Sequence, residues 1–184
     1  MRLHDRQQRR LYINEAERQR FVSAAMVVAP EVRTFCLTLL YTGCRISEAL
    51  SLTSQSVALS ERLITFRTLK RRKLVMREVP IPLKLVEDLD KVHGIGVGTA
   101  ETSCLWMHKH RPLSRVTGYR RVKAVMDGAD ISGPQACPKG LRHGYGIHAI
   151  RSGVQLHMLA KWMGHASIAT TAIYANAIGP EELE

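Results

Sequence analysis

Residues 138–177 read PKGLRHGYGIHAIRSGVQLHMLAKWMGHASIATTAIYANA. Gly153 and Gly164 divide this stretch, and the spacing predicts helices near Pro138 to Ile150, Val154 to Met163 and Ile168 to Ala177. Upstream, Asn14 can cap a helix that runs to about Val28, with Phe21, Val22, Ala25 and Val28 at helical spacing and Pro30 beyond it. A further helix fits Glu31 to Tyr41; Thr42-Gly43-Cys44 breaks it, and Arg45 to Leu50 restarts a short one. Leu63 to Arg67 reads as a strand and Leu74 to Ile81 as its hairpin partner, stopped by Pro80 and Pro82. Helical patterning returns from Leu83 to Val92, Gly94 to Gly98 reads as a linker, and Ser114 can cap a basic helix reaching Met126. The expected fold class is mixed, mainly α with one small antiparallel β-hairpin or sheet.

The chain has 184 residues, the size of one domain. Apolar residues make up 45% and charged residues 23%, which excludes a disordered tail, a collagen-like repeat and a coiled coil. No apolar run approaches the roughly 20 residues that span a bilayer, so no membrane partner is expected. The charged N-terminus has no apolar segment behind it, and Cys36, Cys44, Cys104 and Cys137 form no C-x-x-C pair. Both features point to a cytoplasmic protein with reduced thiols.

Twenty-seven Lys and Arg against sixteen Asp and Glu give a net charge of +11, which favours a polyanionic partner, nucleic acid before membrane. The surplus is clustered. One acid-free run holds Arg67, Lys70, Arg71, Arg72, Lys73 and Arg77, and another holds Lys109, Arg111, Arg115, Arg120, Arg121 and Lys123. These two runs are candidate contacts for two phosphate strands of a nucleic acid. Aromatic residues are only 5%, too few for the stacking platforms of single-stranded RNA readers.

Several enzyme classes drop out. The histidines His108, His110, His143, His148, His157 and His165 never stand at i, i+4, and no H-E-x-x-H accompanies them, so no metal site is expected. There is no G-x-S-x-G elbow, phosphate-binding loop or dinucleotide fingerprint, and no cofactor is expected.

What remains is an ordered set: Thr42-Gly43-Cys44-Arg45-Ile46-Ser47-Glu48, the hairpin ending Arg77-Glu78-Val79-Pro80-Ile81-Pro82, Leu141-Arg142-His143, Gly164-His165, Thr170-Thr171 and Tyr174. In this order the sequence resembles the tyrosine recombinase (phage integrase) family over about residues 12 to 178. The resemblance implies the tyrosine recombinase catalytic-domain fold and site-specific cutting and rejoining of DNA through a 3′-phosphotyrosine, without metal or ATP. It makes Arg45 and Arg142 the cations on the scissile phosphate, Tyr174 the nucleophile and His165 a phosphate hydrogen-bonder. Lys70, with Lys73 as the alternative, becomes the acid for the leaving 5′ oxygen. Glu48 would buttress Arg45, and His143 would support the site from behind. The residue types suit such chemistry. A guanidinium fork matches a phosphate bidentately and stays protonated, whereas a free phenol with pKa near 10 needs activation.

The sequence departs from the family at three places. Lys139 stands where the family's second box usually begins with histidine. The expected layout is a basic leader over residues 1–13 where the family usually has a helical core-binding domain, one catalytic domain over 14–178 and an acidic tail over 179–184. That layout resembles the short, catalytic-domain-only recombinases of fimbrial phase switching, or a fragment or decayed copy. Only ten residues follow Tyr174, so the expectation is a monomer when free and a homo-oligomer on DNA. The competing reading is a weakened or inactive DNA-binding module, since Gln155 to Tyr174 also reads as helix, glycine turn, helix.

Overall fold

The computed structural model describes residues 2–70, 73–97 and 103–177, the side chains of residues 68–70, 73 and 74 excepted. Helix α2 (Pro30–Thr42) runs through the middle of the fold, with Phe35, Cys36, Leu37, Leu39 and Leu40 all buried. Pro30 opens it at a position where the missing N–H costs nothing, and Gly43 closes it with φ 58°, its N–H on the Leu39 carbonyl at 3.1 Å. Around α2 pack α1 (Glu15–Met26), α4 (Leu83–His93), α5 (Arg115–Gly128) and α6 (Pro138–Arg151). The Arg33 guanidinium donates to Asp88 at 2.7 and 2.6 Å and ties α2 to α4. Trp106 is fully buried; its indole N–H donates to Thr34 Oγ1 at 3.1 Å, and its ring meets Phe35 edge-on.

Helix α1 begins as the sequence indicates. Asn14 and Glu17 form a capping box, each side chain accepting the other's backbone N–H at 2.9 Å. The Glu17 carboxylate also accepts from Arg10 and from the Gln135 amide at 3.0 Å. The basic leader is therefore held to the body: Leu3, Tyr12 and Ile13 are buried, and the Ile13 N–H reaches the Gly140 carbonyl in α6.

The hairpin is β2 (Leu63–Lys70) with β3 (Lys73–Pro80), paired antiparallel from Leu63 opposite Pro80 to Lys70 opposite Lys73. A two-residue strand, β1 (Val57–Ala58), adds to the outer edge of β2 and was not expected from the sequence. A second small pair, β4 (Met107–His108) with β5 (Arg111–Pro112), turns through Lys109 and His110 at φ 48° and 62°. Both positive φ values match the tight turn that suits a hairpin twist, here without the usual Asn-Gly. The carboxy-terminal half adds α7 (Leu156–Met163) and α8 (Ala169–Ala175), which pack on α6 through Tyr145, Ile147, Leu159, Met163 and Tyr174. The fold is thus mainly helical with small antiparallel sheets. Among the described residues no helix is long and apolar enough to cross a membrane.

Gly146 lets α8 lie close on α6: a Cβ there would sit 2.7 Å from Tyr174 Cζ. Gly146→Ala should therefore displace the Tyr174 ring and cost about 1–3 kcal/mol. Gly128→Ala, in open space at the end of α5, should stabilise by up to about 1 kcal/mol. Urea midpoints of the two variants check the contrast; equal shifts would show that α8 does not pack on α6 in this way.

Candidate active site

Arg142, 7% exposed in the second turn of α6, ties two distant turns together. Nη1 donates to the Gly43 carbonyl at 2.6 Å and Nη2 to the Met163 carbonyl at 2.7 Å. These carbonyls close α2 and α7, where helix dipoles leave partial negative charge. Burial and the neighbouring Arg45 charge pull the Arg142 guanidinium down to about 10, which leaves it protonated at neutral pH.

Arg45 precedes α3 (Ile46–Leu50) as its N-cap and is half-exposed. Glu48, in the first turn of α3, accepts the Arg45 backbone N–H at 2.8 Å and its Nη1 at 3.0 Å. Gly43 presents its carbonyl to Arg142 from a left-handed conformation, and any Cβ there would strike the Tyr145 ring.

His165 follows the left-handed Gly164 cap of α7. Arg142 Nη2 lies 3.1 Å from His165 Nε2, and a guanidinium can only donate. Nε2 is thus the acceptor, and the imidazole proton sits on Nδ1, which donates to Thr171 Oγ1 at 2.8 Å.

Arg45, Lys139, Arg142 and His165 line one cavity of about 540 Å³, together with Arg115 and Tyr119 from α5. Lys139, Arg142 and His165 lie more than 90 residues from Arg45 in the chain, yet share its cavity wall. Tyr174 is not on that wall. It is fully buried behind His165, the two rings near-parallel at 6.3 Å, and its hydroxyl lies 3.1 Å from His143 Nδ1. Burial pushes the phenol up to about 12, against the pull of Arg142 and Arg45. His143, also fully buried, is pushed down to about 4 by burial and then by the charges of Lys139, Arg142 and His165. Its Nε2 has no hydrogen-bond partner. One bond therefore joins a phenol and a neutral imidazole that carry two hydrogens between them.

The remaining candidates fall into several groups. Arg67, Lys109, Arg111, Arg115 and Arg120 are exposed, while Arg121 and Lys123 are partly buried, Lys123 3.5 Å from Asp127. Lys70 and Lys73 face each other at the end of the hairpin; their side chains, like Arg71 and Arg72 altogether, lie outside the described residues. Arg77 corrects the sequence reading. It was expected on DNA, but it is 4% exposed, donates to both Glu48 oxygens at 3.2 and 2.6 Å and donates through Nε to the Trp162 carbonyl at 2.7 Å. The signal was the strand alternation: Arg77 shares parity with Val79 and Ile81, both buried. Sequence reasoning also missed Tyr119, which stands one helical turn after Arg115 on the cavity side of α5.

The chain belongs to the Phage integrase family, whose model matches residues 11–178. It is 30% identical over 141 residues to tyrosine recombinase XerC of Erythrobacter litoralis, covering 76% of this chain and 44% of that protein. It is 29% identical over 146 residues to tyrosine recombinase XerA of Pyrococcus furiosus, covering 77% of this chain and 49% of the relative. Among solved structures, the XerA recombinase superposes with a TM-score of 0.80 at 26% identity, covering 94% of this chain and 62% of that one. The fold matches that of the tyrosine recombinase catalytic domain. The chain spans about half the length of the curated relatives it matches.

The His143 environment sets a pH dependence of stability. Its folded pKa lies below the ordinary 6.5, so as pH falls from 6.5 towards 4 the unfolded chain takes the proton first and folding weakens. This site should account for on the order of 2 kcal/mol lost between pH 7 and pH 4.5. His93 and His148 shift in the same direction, so His143→Gln should remove only part of the dependence. Denaturant midpoints at the two pH values measure it; identical losses in parent and variant would contradict the assignment.

Proposed function

We propose that residues 14–178 form the catalytic domain of a site-specific DNA recombinase that works through Tyr174. The observation that supports it best is the convergence of Arg45, Arg142 and His165 on one cavity, with the Tyr174 ring stacked directly behind His165. In this reading a phosphate of double-stranded DNA enters the cavity, and Arg45 and Arg142 stabilise charge on its non-bridging oxygens. The Tyr174 oxygen attacks phosphorus, its proton leaves to water at the cavity mouth, and the bond to the 5′ oxygen breaks. Lys70 or Lys73 protonates that leaving oxygen. The phosphotyrosine keeps the bond energy, so a second 5′-hydroxyl rejoins the strand without ATP. Lys139, at the place of the box histidine, donates to the phosphate as a cation. Lys109, Arg111, Arg115 and Arg120 would track the backbone. The protein would act in the cytoplasm, as a monomer when free and a homo-oligomer on DNA.

A second reading is a DNA-binding module with little or no cleavage, favoured by the Tyr174 hydroxyl lying on His143 rather than in the cavity. One experiment separates the two. Incubation with nicked DNA sites should give a covalent protein–DNA adduct that Tyr174→Phe abolishes and EDTA leaves unchanged. Arg45→Ala or Arg142→Ala should slow its formation on the order of 10²- to 10³-fold. DNA retention without adduct on any site would favour the second reading. In either case affinity should fall steeply with salt, by about 0.9 in log K per phosphate contact per decade. A flat salt response in a filter-binding titration would remove the basic stretches as DNA contacts.

A further inference from the structure

Glu48 lies directly behind Arg45 of the candidate active site, and its charge is shared. Oε1 accepts from Arg45 Nη1 at 3.0 Å and Arg77 Nη1 at 3.2 Å; Oε2 accepts from the Arg45 N–H at 2.8 Å and Arg77 Nη2 at 2.6 Å. Arg45 faces the cavity, while Arg77 does not line it. Arg77 instead lies in the interior, its guanidinium 4.8 Å from the centre of the Phe66 ring, with Nε on the Trp162 carbonyl. A Cβ on Gly164 would come within 3.3 Å of it, so the turn that presents His165 is moulded against this side chain.

The charges of Arg45, Glu48 and Arg77 sum to +1. If Arg77 were missing, the Glu48 carboxylate would draw more heavily on Arg45, and the cavity would face a weaker positive charge. We propose that Arg77 is a positioning residue: it neutralises Glu48 so that Arg45 keeps its positive charge for an oxyanion in the cavity, and it holds the turn before His165. A guanidinium suits this double role, since its fork meets both carboxylate oxygens while Nε meets a carbonyl. The inference rests on the recombinase reading only for the identity of the oxyanion as a DNA phosphate.

The test uses inorganic phosphate as probe, with affinity for the whole protein measured by calorimetry or phosphorus NMR. Adduct formation is measured alongside as a separate readout. Arg77→Met should weaken phosphate binding about tenfold or more, because an unbalanced carboxylate then acts over a few ångströms. Adding Glu48→Gln removes that charge and should bring affinity back to within about threefold of the parent. It also spares the fold a buried carboxylate deprived of one guanidinium partner, so the double variant remains testable where Arg77→Met alone does not fold. Glu48→Gln alone should bind phosphate more tightly than the parent. If Arg77 serves packing only, the double variant stays at least as weak as Arg77→Met and Glu48→Gln gains nothing; either result overturns the proposal. So does phosphate affinity that Arg45→Ala leaves unchanged. Loss of adduct from the parent, with the phosphate pattern intact, would instead overturn the recombinase reading and leave the Arg77 role standing.

Discussion

A buried guanidinium with three neighbours of the right polarity fixes the geometry on which the site depends. Arg142 grips the carbonyls that end α2 and α7 and touches His165 with the same Nη2 that holds Met163. Taking a cation out of water is costly unless hydrogen bonds and opposing dipoles compensate it. Here the compensation comes from two helix ends more than 100 residues apart, so the charge is satisfied only when both turns are in place. The turn that carries Arg45 and the turn that carries His165 are thereby set against each other by one side chain.

Arg77 repeats the device one layer further in. It takes the Trp162 carbonyl, next to the Met163 carbonyl held by Arg142, and the Glu48 carboxylate, next to Arg45. Two arginines thus cap successive carbonyls at the end of α7, which favours cations there. Burial pushes the Glu48 carboxyl up, but Arg77 and Arg45 outweigh it and hold it down at about 2. The acid stays ionised in the interior because it is bracketed by guanidinium groups, and the like charges of Arg45 and Arg142 can coexist because Glu48 lies near both.

The parts of this arrangement were unequally legible in the sequence. Helix starts at Asn14, Pro30, Ser114 and Pro138 carry local chemistry and are readable within a residue or two. The motif residues Arg45, Arg142 and His165 emerge only through family order, because nothing local distinguishes a cavity-lining arginine from a solvated one. Arg77 misleads: a charge run suggests a solvated face, while the alternation with Val79 and Ile81 points inward. β1 escapes because two residues carry no period, and β4–β5 because its turn uses Lys109 and His110 in place of glycine or asparagine. The place of the Tyr174 hydroxyl depends on which partner lies across a helix interface, and spacing along one chain says nothing about that.

That hydroxyl gives a quantitative constraint on any chemistry through Tyr174. To reach a phosphate in the cavity it must leave His143, a neutral hydrogen bond with a net value of about 1 kcal/mol. The ring must also change its packing against Gly146 and His165, and full exposure of a large side chain would cost about 1.5–3 kcal/mol more. The sum is a few kcal/mol, enough to keep the hydroxyl off the cavity in the great majority of molecules, yet within what a handful of phosphate contacts can offset. Moving the phenol towards Arg142 and Arg45 also reverses its electrostatics, since burial is what raises its pKa and these two cations are what lower it. In the proposed reaction, rest and activation would therefore differ in a single residue's surroundings, and α8, a seven-residue helix anchored by Thr171 on His165 and Tyr174 on His143, is the element that would have to shift between them.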